Sequence, residues 1–255
     1  MMTKLRGLML LMAGISGVAA LAPAAAKDAD GKPRVLVFSH TTGYRHASIE
    51  PGIAALQGLG AREKMTIVAT EDPNVFSEAG LRDVDAIVFL SSTTDPKKPE
   101  SEWFQGARRE ALQAFVHRGG GVVGIHGASD SHYHWPWYGR MIGGHFARHP
   151  QGTPEGEIHV EDRRHPSTRS MPERLRRVDE WYYIDDYDPR SKLLVTLDPA
   201  SIGEKDANPN PMSWTREFEG GRVFYTAMGH TDASYREKAF LDHLAGGLKW
   251  VLKKK

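Results

Sequence analysis

Four short apolar runs organise the first half of the chain: Val35 to Ser39 (VLVFS), Met65 to Thr70, Ala86 to Ser91 (AIVFLS) and Val122 to Ile125. Val35 to Ser39 is continuous enough to predict a strand buried on both faces, and the other three runs also read as strands. The segments between them read as helices: about Ser48 to Leu59, with Pro51 and Gly52 near its start, then a short one from Phe76 to Leu81. A third runs from Glu102 to His117, with Phe104, Ala107, Ala111 and Phe115 on one face and Gly119 to Gly121 ending it. Alternating strands and helices predict an α/β fold with a parallel sheet covered on both faces, whose ligands bind at the carboxyl ends of the strands. Three post-strand segments should therefore converge: His40 to His46, Ser91 to Thr94, and His126 to Asp130.

Beyond Pro150 the pattern changes to Ile158 to Val160, Leu193 to Leu197, and a hairpin pairing Trp214 to Phe218 with Val223 to Ala227 around Gly220 and Gly221. An amphipathic helix closes the chain, with Phe240, Leu241, Leu244, Leu248 and Val251 facing inward. No internal repeat or dividing linker interrupts residues 27–255, which read as one domain.

Residues 1–26 stand apart. Lys4 and Arg6 precede the apolar stretch Leu8 to Leu21, and Ala24-Ala25-Ala26 supplies an A-x-A site, so a secretory signal cleaved after Ala26 is expected, and with it a periplasmic or secreted location. The apolar stretch is shorter than the ~20 residues of a bilayer span, so no membrane association is expected once it is removed. The 33 Lys and Arg nearly balance the 32 Asp and Glu. Loss of Lys4 and Arg6 leaves a charge near −1, which gives nucleic acid nothing to recognise. The absence of cysteine removes disulfides, thiolate metal ligands and cysteine nucleophiles together.

The chemistry concentrates between Gly119 and His149, where five histidines, two tryptophans and two tyrosines follow a glycine-rich strand. Buried imidazoles need partners, so such a run is expected to line a polar cleft. His126, at a strand end before Gly127, is the leading catalytic candidate, and Asp130 either orients it or caps the next turn. His40, Arg45 and His46 lie on the first strand-to-helix loop; Arg45 suits a carboxylate, phosphate or sugar hydroxyl, or pairs with Glu50. Trp135, Trp137 and Tyr138 either stack on the C–H face of a sugar or pack the loop over the sheet. His145 follows two glycines and is read as a site residue, His132 and His134 as solvated, and His149 as part of a turn. Arg174 to Arg177 reads as a solvated basic face, Glu180 as the best distant carboxylate to complete an acid/base pair or else a surface ion-pair member, and Trp214 as a pocket wall.

Several segments together resemble the ThuA-like family, named for trehalose utilisation: Ser39 to His46 (SHTTGYRH), Gly119 to Asp130, Trp135 to Pro150, Asp179 to Ile184 (DEWYYI), Pro211 to Trp214 and Met228 to Thr231 (MGHT). The resemblance implies a flavodoxin-like three-layer α/β sandwich with a mostly parallel central sheet, similar to class I glutamine amidotransferases. In those enzymes a cysteine occupies a G-x-C-x-G elbow and a late strand delivers H-x-E. Here the elbow is Gly124-Ile125-His126-Gly127-Ala128 and the late strand delivers His230-Thr231-Asp232. Amidotransferase chemistry by thiolate attack is thereby excluded.

The resemblance supplies a carbohydrate as the expected small-molecule partner. His126 and His230 would act as acid/base partners with Asp232 or Asp130 orienting an imidazole. Alternatively they bind a divalent ion such as Zn²⁺ with a further donor from His40, His46, Asp130 or His145. The competing expectation is a non-catalytic sugar-binding protein that has lost its nucleophile.

Overall fold

The computed structural model describes residues 31–206 and 208–253, so the expected signal segment lies outside the described residues. The parallel part of the fold is built from β1 (Arg34–Phe38), α1 (Ile49–Glu63), β2 (Thr66–Thr70), α2 (Glu78–Leu81), β3 (Ala86–Leu90), α3 (Ala107–His117) and β4 (Gly121–Ile125). Next come α4 (Pro136–Ile142), β5 (His145–Arg148), β6 (Glu155–Val160), β7 (Arg174–Val178), β8 (Tyr183–Asp185) and β9 (Lys192–Asp198). The hairpin strands β10 (Asn210–Phe218) and β11 (Gly221–Thr226) precede the closing helix α5 (Lys238–Val251).

Nine strands form one sheet in the order β2-β1-β3-β4-β11-β10-β9-β6-β7. β2, β1, β3, β4 and β11 run parallel, and the remaining pairings are antiparallel. Every residue of β3 and β4 is buried, as their unbroken apolar runs require. The chain leaves β1 for β2 on one side and returns to β3 on the other, so α1 and α2 cover opposite faces. α5 packs against α1, β4 and β11, while α3 packs against α2. The α/β sandwich expected from the sequence is present.

Three local departures have physical causes. The helix expected from Glu102 begins only at Ala107, because Gly106 has φ +50° and breaks the helical path; Phe104 reaches the core from an extended segment instead. Arg174 to Arg177 is an edge strand rather than a uniformly solvated face. Arg174 and Arg176 project outward to Glu157 and Glu155, at 3.2 and 2.9 Å, whereas Arg177 points inward and pairs with Asp179 at 2.9 Å and Glu237 at 3.1 Å. Finally, β5 and β8 form a separate two-stranded sheet that pairs His145 with Asp185 and Phe146 with Ile184. Among the described residues no helix is long and apolar enough to cross a membrane.

Candidate active site

His126 is the first residue after β4 and takes φ +49°, a left-handed backbone unusual for a residue with a Cβ. The elbow this creates turns the imidazole back over the carboxyl ends of the parallel strands. Gly127 is needed beside it, since a Cβ there would stand 2.9 Å from Thr93 Cγ2 and 3.1 Å from His46 Cε1. The fully buried ring lies 4.1 Å from that of Tyr182. Its Nδ1 is 2.7 Å from the Ala227 carbonyl oxygen, an atom that only accepts, so Nδ1 carries a proton and Nε2 is the ring atom that faces the rest of the site.

Three further side chains meet at that Nε2. His46 arrives on the loop after β1, which is tied down where the Thr42 and Gly43 N–H groups both donate to the Thr93 carbonyl. It is buried, with Nδ1 lacking a hydrogen-bond partner and Nε2 3.5 Å from the Tyr182 hydroxyl. His230 follows β11, its N–H donating to Asp179 Oδ1 at 2.9 Å while the Gly229 N–H donates to Oδ2 at 2.9 Å. Glu180 adjoins Asp179 in sequence and enters from the segment leading into β8. His126 Nε2 lies 3.1 Å from His230 Nδ1 and 3.4 Å from Glu180 Oε2, and the last two atoms are 3.1 Å apart. One ligand atom from each of His46, His126, Glu180 and His230 falls within 4.8 Å of all the others. On the other Glu180 oxygen, His149 Nδ1 stands at 3.3 Å.

The charges follow from this packing. Burial, reinforced by the neighbouring His126 and His230, lowers the His46 pKa to about 2 and keeps that ring neutral. Burial raises the Glu180 carboxyl, but hydrogen bonds and charge from His126 and His230 outweigh it and hold the group well below the usual carboxylate range. The hydrogen bond to Glu180 raises His230. Asp130 is raised by burial against the opposing hydrogen bond from the Tyr133 hydroxyl, which is 2.5 Å away.

The ligand set fits a divalent cation. Donors about 2.0–2.1 Å from a tetrahedral Zn²⁺ stand about 3.3 Å apart, and imidazole nitrogen with carboxylate oxygen is a donor set that Zn²⁺ accepts. The separations of 3.1, 3.4 and 3.1 Å among His126, His230 and Glu180 match this spacing. Of the further donors considered from the sequence, His46 is the one inside the group. Glu180, read there as distant, is at its centre, and His149, read as a turn residue, touches it.

The other candidates lie elsewhere. Asp232 is exposed, and the carboxylates at His230 are Asp179 on its backbone and Glu180 on its ring. Asp130 feels the charges of His126 and Glu180 but hydrogen-bonds Tyr133 rather than an imidazole. His40 packs on Trp103 at 5.1 Å, and Arg45 pairs with Glu50 at 2.7 Å and Glu71 at 2.9 Å. Trp135, Trp137 and Tyr138 are buried: the two indoles stack at 4.9 Å, Trp137 Nε1 donates to Glu219, and the Tyr138 hydroxyl donates to the Ala128 carbonyl. They pack the loop over the sheet and leave no face for a sugar. Trp214 is likewise buried, donating to the Ile142 carbonyl at 2.8 Å. His145 stacks on Tyr133 and lines a cavity of about 500 Å³ beside α4. His132 is buried between Trp103 and Phe104 rather than solvated, and His134 bonds the buried Glu102.

Comparison with known proteins agrees with the architecture. A ThuA-like protein from Bacteroides uniformis shares 22% identity over 93% of this chain and 95% of its own, with a TM-score of 0.70. Another from Parabacteroides merdae shares 17% over 87% and 90%, also with a TM-score of 0.70. PurLQS from Thermotoga maritima shares 13% over 86% and 99%, with a TM-score of 0.58. At these identities the likeness is one of fold, the class I glutamine amidotransferase-like sandwich. No curated protein matches the chain. The family described as trehalose utilisation matches residues 34–251, and the chain is a member of that family, ThuA.

Proposed function

We propose that the chain is an exported carbohydrate-active enzyme whose reacting centre is a divalent metal held by His46, His126, Glu180 and His230, acting on a sugar or keto-sugar derivative. The observation that carries the reading is the meeting of three imidazoles and a carboxylate at the ends of β1, β4 and β11, with donor separations suited to one ion. The carbohydrate part is supported by the family's description, and export by the pattern of residues 1–26.

Bound there, a divalent cation supplies Lewis-acid polarisation of a substrate oxygen. The chain's own groups orient and exchange protons around it. The Ala227 carbonyl fixes the His126 tautomer, Asp179 holds the His230 backbone, and His149 engages the second Glu180 oxygen. The raised His230 beside Glu180 also favours a second reading, acid/base chemistry without a metal.

The test is turnover of a panel of glucosides and their keto derivatives by the mature chain and by His126→Ala. The proposal expects turnover by the wild type that the variant loses while still binding sugar. Sugar binding without turnover in the wild type would instead indicate a binding module.

A further inference from the structure

Tyr44 and Val178 are the large apolar side chains that stand exposed among the described residues, and Tyr44 is the more open at 65%. Its ring centroid is 4.8 Å from that of His46, with the two planes at 85°. A single exposed aromatic ring is ordinary on a protein surface; what sets Tyr44 apart is its place against His46, at the edge of the buried cluster, and the support under it. Here the backbone beneath it is fixed. Thr93 Oγ1 donates to the Tyr44 carbonyl at 2.7 Å, the preceding Thr42 and Gly43 N–H groups donate to the Thr93 carbonyl, and the Thr42 hydroxyl donates to Ser101 O at 2.8 Å. The loop approaches its neighbour so closely that a Cβ at Gly43 would lie 2.8 Å from the Thr94 carbonyl oxygen. On the other side, Arg45 is anchored to Glu50 and Glu71. The ring is therefore exposed on a rigid support, which lowers the ordering cost of binding against it.

We propose that Tyr44 is the stacking platform that positions a pyranose ring over the His46, His126, Glu180 and His230 cluster. This deepens the carbohydrate reading above and rests on it. A saturated sugar ring lays its C–H face on the aromatic face and keeps its hydroxyls at the rim. His46 is the cluster member against Tyr44, and His230 and Glu180 are its members with side-chain exposure, at 23% and 11%, so a sugar on Tyr44 approaches the cluster from its open side. Tyr44 also takes the role first expected of Trp135, Trp137 and Tyr138, whose rings are buried in packing.

The experiment is isothermal titration of trehalose, methyl α-D-glucopyranoside and, as a planar control, adenosine into wild type, Tyr44→Ala and Tyr44→Phe, with metal content measured on each sample. Expected are sugar binding by the wild type, a Kd about tenfold weaker in Tyr44→Ala, wild-type affinity in Tyr44→Phe, and metal content unchanged throughout. Sugar binding that is intact in Tyr44→Ala overturns the platform and leaves the carbohydrate reading standing. A loss in Tyr44→Phe equal to that in Tyr44→Ala shows that the hydroxyl, not the ring face, makes the contact, and also overturns it. Binding of adenosine but of neither sugar, or no sugar binding at all, overturns the platform and the carbohydrate reading together, while metal content reports separately on the metal centre.

Discussion

Replacing Asp179 by Asn probes how the second half of the cluster is held. Oδ1 accepts the N–H groups of Glu180 at 3.0 Å and His230 at 2.9 Å, and an amide oxygen in its place keeps both bonds. Oδ2 faces the Gly229 N–H at 2.9 Å and Arg177 Nη1 at 2.9 Å. An amide nitrogen there sets a donor against two donors inside a fully buried site. Breaking a buried ion pair costs about 3–5 kcal/mol. Arg177 keeps Glu237 at 3.1 Å and Ser234 at 2.9 Å, which places the expected loss at the lower end, about 3 kcal/mol. For a domain of this size that is a fall in Tm of about 6–12 °C. Urea unfolding followed by circular dichroism, with the m-value checked for constancy, measures it directly. Asp232→Asn is the paired control, because Asp232 is exposed and should stay within about 0.5 kcal/mol of wild type. A loss below about 1 kcal/mol in Asp179→Asn, or an equal loss in Asp232→Asn, would refute the assignment of Asp179 as the carboxylate that holds the His230 turn.

Two other outcomes follow from burial and charge. His132 and His165 are lowered to about 4 and His243 to about 3, each chiefly by burial, so the fold holds them neutral while the unfolded chain protonates them near 6.5. Their contribution to stability should therefore be flat above that pH and fall below it, by about 1.4 kcal/mol per pH unit for each such group. His230, raised by Glu180, opposes this weakly. Urea midpoints at pH 7.5 and pH 5.5 that coincide would contradict the buried neutral imidazoles. Tyr138→Ala should cost about 3–5 kcal/mol as a core truncation, read by the same unfolding assay. A stable Tyr138→Ala that loses sugar binding instead would restore the stacking role the packing argues against.

Much of the site was legible in the sequence because its strands are local. The apolar runs at Val35, Ala86 and Val122, each followed at once by polar loops, place His46 and His126 at one end of the sheet with no knowledge of distant pairing. The elbow at His126 was also visible, because Gly127 marks a turn that tolerates no side chain. Where Glu180 and His149 sit depends on non-local contacts. Glu180 reaches the cluster because Asp179 ties its segment to the turn after β11, and His149 because β5 pairs with β8 beside it. Neither pairing leaves a periodic trace in sequence. The aromatic cluster misled for a related reason: Trp135, Trp137 and Tyr138 look like an open face along the chain, yet α4 turns all three toward Phe104, Phe218 and Phe89. Among the described residues the one exposed tyrosine sits in SHTTGYRH, whose polar neighbours point to Arg45 and the histidines instead.

Elemental analysis of the purified protein, before and after chelation and alongside His126→Ala, tests the central claim most directly. A stoichiometric divalent transition metal that is removed by chelation, restored by dialysis and absent from folded His126→Ala is the result predicted by the meeting of His46, His126, Glu180 and His230. A folded wild-type protein that holds no metal and takes none up would contradict it.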